Sequence, residues 1–243
     1  MRKYAPLIGR LRRDPRHYRF PLPNAVWDYR LKPIEFVILS YLCYCHNRKR
    51  SNTTITAEAV AAAIHLTAGT VKKYLSSLVG KELVTNECEL AFQCADSKKF
   101  FTLPNEIFLL NLPPSAFMVY AYLLLIEDRR THTCHPSYNT IAAETGMTKN
   151  TAMKSIDTLL DAGLITMEHS RYFDQRGMKW KGNNLYTIRP TQAAVDQFHQ
   201  RQLHQLEQDA ERRRVCQRQE SYGCHHPRVA LCAPAAPGPA PIA

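Results

Sequence analysis

SYNTIAAETGMTKNTAMKSIDTLLDAGLI, residues 137–165, carries the pattern from which the rest of the chain can be read. Its opening, 137–145, is a short helical stretch, and Gly146 marks a turn of three to four residues. Thr148 then stands where its side-chain oxygen can accept from the free N–H groups of a new first turn. The helix that follows is expected over 149–162, with Ala152, Ile156, Leu159 and Leu160 on one apolar stripe. Two helices joined by a tight turn, the second capped by threonine, make a helix-turn-helix.

The same pattern occurs earlier. Residues 20–84 fall on 101–165 after a shift of 81 positions, without a gap. Phe20, Leu22, Pro23 and Asn24 meet Phe101, Leu103, Pro104 and Asn105, and Leu31, Pro33 and Phe36 meet Leu112, Pro114 and Phe117. Thr67, Thr70, Lys73, Leu78 and Leu83 meet Thr148, Thr151, Lys154, Leu159 and Leu164. Identities in such register, with apolar residues falling on apolar ones, mean two copies of one small domain.

Each copy opens with an extended run into Leu-Pro-Asn and a brief helical turn, Asn24 to Tyr29 or Asn105 to Leu110. A proline follows at the head of a strong helix, 33–47 or 114–128, where its missing N–H costs no bond. The first copy then offers a short helix at 57–64 and a longer one at 68–80, whose stripe is Val71, Leu75 and Leu78. Two strands should end the second copy, 164–168 and 185–188, with the basic segment DQRGMKWKGNN between them as a wing. A shorter wing is expected at about 83–94 in the first. The predicted fold is mainly α with small β-hairpin wings. It has a basic arm (1–19), two tandem winged helix-turn-helix domains (20–98 and 99–190), a polar helix (191–215) and a disordered tail (216–243).

The 243 residues give room for two domains, and no apolar run nears the ~18 residues of a membrane span. The N-terminus lacks the continuous apolar stretch of a secretory signal, so a cytoplasmic protein, nucleoid- or plasmid-associated, is expected. Formal net charge is +11, of which +6 sits on residues 1–19, and such an excess suits a polyanion. The eight cysteines form no C-x-x-C pair and are expected as reduced thiols. Cys216, Cys224, His225, His226 and Cys232 match no common zinc spacing, so no metal and no cofactor is expected.

The stretch 110–165, through Pro136-Ser137-Tyr138, Ile141-Ala142, Gly146-Met147, Thr148, Thr151 and Leu159 to Gly163-Leu164-Ile165, resembles winged helix-turn-helix domains of a known group. These are the domains of plasmid and mobile-element replication initiators and phage replisome organisers, the clostridial-type helix-turn-helix family. Leu103 to Phe108 and Leu185 to Ile188 fit the same group. The resemblance implies sequence-specific binding of double-stranded DNA, a role in starting replication, and host replication proteins as partners, by a monomer or homodimer. A repressor-type transcriptional regulator with the same DNA-binding domains is the alternative. The first copy departs from the pattern, with Thr56-Ala57 for Ser-Tyr and His65 for the turn glycine.

The N-terminal half of the last helix of each motif should enter the major groove. In the first copy that face offers Ala68, Gly69, Thr70, Lys72, Lys73 and Ser76; in the second, Lys149, Asn150, Thr151, Lys154 and Asp157. Asn150 can read adenine with a paired donor and acceptor, and Lys149 can reach guanine or phosphate. Thr70 with Thr151, and Lys73 with Lys154, are equivalent positions suited to phosphate. Thr148 is a further DNA-binding candidate, with a purely structural capping role as its alternative. Ser137 and Tyr138 can donate to phosphate, Tyr138 serving equally as packing. Arg171, Arg176, Lys179 and Lys181 are the wing's candidates, with Trp180 near its tip. Each lysine has the plainer alternative of a solvated helix face. No catalytic residues are expected: His132-Thr133-Cys134-His135 lacks the two histidines flanking a hydrophobic residue that a nicking enzyme needs, and no phosphate-binding glycine loop is present.

Overall fold

The computed structural model describes residues 19–48, 55–86, 88–91, 99–173 and 179–223. The basic arm before Arg19, Cys94, Arg176, and the tail with Cys224, His225, His226 and Cys232 lie outside them. The first copy contributes β1 (Arg19–Pro23), a 3₁₀ turn (Asn24–Tyr29), α1 (Pro33–Arg48), α2 (Ala57–Ala63) and α3 (Ala68–Gly80). The second contributes β2 (Phe100–Pro104), a 3₁₀ turn (Asn105–Leu110), α4 (Pro114–Ile126), β3 (Thr133–Cys134), α5 (Tyr138–Thr145), α6 (Lys149–Asp161), β4 (Ile165–Phe173) and β5 (Lys179–Ile188). A last helix, α7, runs Thr191–Gly223. The chain is therefore mainly helical, with small antiparallel sheets.

The 81-residue spacing holds in the backbone as well as in the residues. Arg30 and Asn111 both take left-handed φ (43° and 47°), as do His65 and Gly146 (55° and 65°) and Glu82 and Gly163 (57° and 71°). Each pair stands one repeat apart, so the chain turns in the same places whether or not glycine is there. Only glycine does this without a Cβ penalty of about 1–2 kcal/mol. His65 is exposed and has the strained conformation that Gly146 takes freely. His65→Gly is expected to stabilise the protein by about 1 kcal/mol in urea unfolding.

The two opening strands pair with each other. β1 and β2 form an antiparallel two-stranded sheet in which Phe20 faces Leu103, Pro21 faces Thr102 and Leu22 faces Phe101. Arg19 ties the end of the ribbon, donating through Nε to Thr102 Oγ1 and through its guanidinium to the Thr102 carbonyl, both at 2.9 Å. Beneath it, α1 and α4 pack through aromatic rings from both copies. Phe36 meets Phe117 edge-on at 6.2 Å, Trp27 meets Tyr122 at 5.7 Å and Phe108 meets Tyr41 at 5.1 Å. One hydrophobic core thus runs through both copies.

Among the described residues of the first copy, Glu35 is a buried charge. Glu35, 1% exposed, accepts from the Lys32 N–H at 2.9 Å, from Ser77 Oγ at 2.7 Å and from Lys81 Nζ at 2.8 Å. The Lys32 bond is half of a capping box at the head of α1. Burial would raise the carboxyl's pKa; the bonds from Lys81, Lys32 and Ser77, with the charge of Lys81, together hold it below its ordinary 4.5. A folded-state value below the unfolded one gives stability that is present at neutral pH and fades as pH falls through and below 4.5. Glu35→Gln is expected to cost about 2 kcal/mol at pH 7, because three donors lose a charged acceptor. Urea unfolding repeated at falling pH should then show a flatter acid limb than the parent.

The second copy's wing is longer than its sequence suggests. β3, β5 and β4 form a three-stranded antiparallel sheet in that order, with Thr133 facing Thr187 and Ile165 facing Ile188. The ladder continues through Arg171 opposite Lys181 and Phe173 opposite Lys179, with a bulge between His169 and Arg171. Lys179, Trp180 and Lys181 are strand residues and not part of a connecting loop. Of the shorter wing expected at 83–94 in the first copy, the described residues show the bridge Val84 to Leu90, and 87 and 92–94 lie outside them.

Two compact units divide at Phe198. In the first, α7 buries Ala194 and Val195 and packs Phe198 against the core. The second begins at His199, and from there to Gln217 the helix is almost wholly exposed, Leu203, Leu206 and Val215 included; it runs to Gly223, beyond the expected 215. No helix among the described residues is long and apolar enough to cross a membrane.

Candidate nucleic-acid interface

The second helix-turn-helix is built from α5, Gly146 and α6. Ser137 caps α5, its Oγ accepting from the Thr140 N–H at 3.1 Å. Gly146 closes α5 in the left-handed conformation and its N–H reaches back to Ala143 O. Thr148 caps α6, accepting from the Thr151 N–H at 3.2 Å, while the Thr148 and Thr151 hydroxyls meet at 2.8 Å. Thr67 and Thr70 repeat both contacts in the first copy, at 3.3 and 2.8 Å. Two hydroxyls sharing one hydrogen bond leave one O–H undirected, so each cap pair can still donate outward.

Helix α6 is anchored by Ala152, Ser155, Ile156 and Leu159, all buried; Leu160 of the expected stripe is only partly so. Its opposite face presents Lys149, Asn150, Lys154 and Asp157 to solvent, with Thr151 half-buried beside them. Met153, 39% exposed, belongs to this face too. Its three-residue step from Asn150 places it there.

Helix α3 is held in the same way by Val71, Leu75 and Leu78. Gly69, Lys72, Lys73 and Ser76 are exposed, and Ala68 and Thr70 are half-exposed. Lys72 is drawn into an ion pair with Glu58 of α2 at 2.7 Å; the bond lowers the Glu58 pKa and raises that of Lys72. Since both ends are exposed, the pair contributes little to stability, but it supplies an acid at the mouth of the first motif. The second copy has Asn139 at that position. Lys73 is exposed, its Nζ 6.0 Å from the Tyr74 ring centroid.

The other candidates divide. Tyr138 sits partly buried against the core, its hydroxyl donating to Met167 Sδ at 3.6 Å, so its ring serves packing between α5 and the wing. At the wing's base, Asn184 is buried, donates to Tyr186 Oη at 3.0 Å and meets His169 Nδ1 at 2.9 Å. Arg171, Lys179 and Lys181 follow on the two paired strands, placed there by backbone register. Cys134 on β3 is buried, and burial pushes its thiol up to about 12, far from a reactive thiolate. Among the described residues no group of three or more His, Cys, Asp or Glu could hold a metal ion.

A family model described as a helix-turn-helix domain matches residues 110–165, which span α4, α5 and α6 and reach the first residue of β4. The second copy is accordingly a helix-turn-helix domain, an arrangement that binds DNA; the first copy lies outside the match. A solved structure described as a possible transcriptional regulator from Methanosarcina mazei Go1 covers 50% of this chain and 92% of that one, at 18% identity and a TM-score of 0.31. No curated protein matches the chain.

Proposed function

We propose that the chain is a non-enzymatic, sequence-specific binder of double-stranded DNA that initiates replication of a plasmid or mobile element. The observation that carries DNA binding is helix α6: one face is locked into the core, and the other presents Lys149, Asn150 and Lys154 from the threonine-capped N-terminal half. Asn150 offers the donor and acceptor pair that matches adenine, and the lysines offer charge to phosphate or guanine. The initiator role rests on the resemblance of 110–165 and of the LPNEIF and LYTI segments to replication initiators. Such a protein would act in the cytoplasm and recruit host replication proteins.

A repressor-type regulator would use the same surface, and the location of the sites separates the two roles. Purified full-length protein should be used to select bound fragments from plasmid and genomic DNA at physiological salt, because low salt inflates phosphate binding. Repeated sites at a replication origin support the initiator; isolated sites over promoters support the regulator. Selection of nothing above bulk DNA would overturn both.

A further inference from the structure

Two copies of a DNA-binding unit in one chain can lie head to tail or about a two-fold axis. Strand register decides between them here. Pro21 faces Thr102, its own counterpart one repeat later, and on either side Phe20 faces Leu103 as Phe101 faces Leu22. The rings obey the same rule: Trp27 touches Tyr122 while Phe108 touches Tyr41, and Phe36 touches its own counterpart Phe117. Contacts in which i meets j and j meets i are isologous, the mark of a two-fold. Such an operation keeps the component of any direction along its axis and reverses the components across it. Helices α3 and α6 therefore face the same way along that axis and run in opposed senses around it. DNA has dyads of this kind perpendicular to its own axis, and modules related by one meet half-sites that are inverted, not direct.

The two faces differ in chemistry. Thr70 and Lys73 keep the phosphate-binding types of Thr151 and Lys154, whereas Ala68 and Gly69 stand where the second copy has Lys149 and Asn150. A Cβ on Gly69 would meet nothing within 4 Å, and its φ is not left-handed. Neither packing nor backbone geometry requires glycine there, and helix propensity favours alanine. The open space fits a close approach from outside, which is glycine's other use.

We infer that one chain binds an interrupted inverted repeat with unequal arms. The second copy reads the strong arm through Lys149 and Asn150; the first sits on a degenerate arm, gripping phosphates through Thr70 and Lys73 with its backbone at Gly69 against the groove. This rests on DNA binding through α6. The arm centres should lie about 10 base pairs apart, or a multiple of that.

The test is selection from random duplex DNA with the full-length chain, followed by measurement of how many chains each duplex holds. An inverted motif with one strong and one weak arm, bound by one chain, is the expected result. A direct repeat, a single arm, or two equally strong arms holding two chains would overturn the two-fold reading and leave DNA binding intact. No enriched motif would overturn DNA binding itself. On the selected site, Gly69→Ala should lower affinity about tenfold with thermal stability unchanged or raised; unchanged affinity overturns the close approach. Ala68→Lys combined with Gly69→Asn should shift preference toward a symmetric repeat of the strong arm, and an unaltered motif would place the readout elsewhere.

Discussion

Alanine at Lys149, Asn150 and Lys154 together lowers affinity for the selected site at least a hundredfold, while affinity for random duplex falls only several-fold. A good paired contact to a base discriminates by about 1–3 kcal/mol, roughly 5- to 150-fold, so Asn150 and Lys149 should account for most of the specific loss. As the proposed phosphate contact, Lys154→Ala should weaken binding to all sequences alike, reducing the slope of log affinity against log salt by about 1. All three side chains are exposed, so the variant should fold as the parent does. Fluorescence anisotropy with labelled duplex at several salt concentrations separates the two effects. An unchanged affinity for the selected site would remove α6 as the reading helix.

The second large effect is on stability. Phe36 is 1% exposed and meets Phe117 at 6.2 Å and Trp27 at 5.0 Å, so it lies where the copies join. Phe36→Ala should cost about 3–5 kcal/mol, a large part of the 5–15 kcal/mol that holds an ordinary domain together. Because one core serves both copies, the loss should appear as one earlier transition. Helix α6 should lose amide-exchange protection together with α3. Phe117→Ala, at the equivalent position, should behave alike. Two separate transitions, with α6 protected after α3 has opened, would mean that the copies fold independently.

Much of this could be read from the residues, because the signals were local. Pro33 and Pro114 begin α1 and α4, Thr67 and Thr148 cap α3 and α6, and each apolar stripe has helical spacing. What could not be read depends on partners far along the chain. The run Phe20-Pro21-Leu22-Pro23 has two prolines and no polar alternation, which argues against a paired strand. It pairs nevertheless because β2, some eighty residues on, supplies the other side. Lys179 to Asn184 are polar and contain Gly182, so they suggested a loop, whereas β4 extends far enough to hold them in a ladder. His65 and Glu82 hid two left-handed turns because neither is glycine. At the interface, the exposed lysines and Asn150 were legible from helical spacing. The Lys72–Glu58 pair was not, since it joins two helices across a turn.

Joining the two halves by a peptide linkage also changes how this interface can evolve. Where two identical chains meet, every substitution enters twice, and each must suit both sides of the axis at once. In this chain it enters once. Trp27 and Phe108 differ, although both lie on a tyrosine across the axis. Glu35 has acquired three donors, while its counterpart Ala116 is simply buried. Glu58 has gained a lysine where Asn139 has none to hold. A duplicated gene freed from symmetry in this way can specialise one half while the other preserves the ancestral task, and neither half has to find a mate in solution.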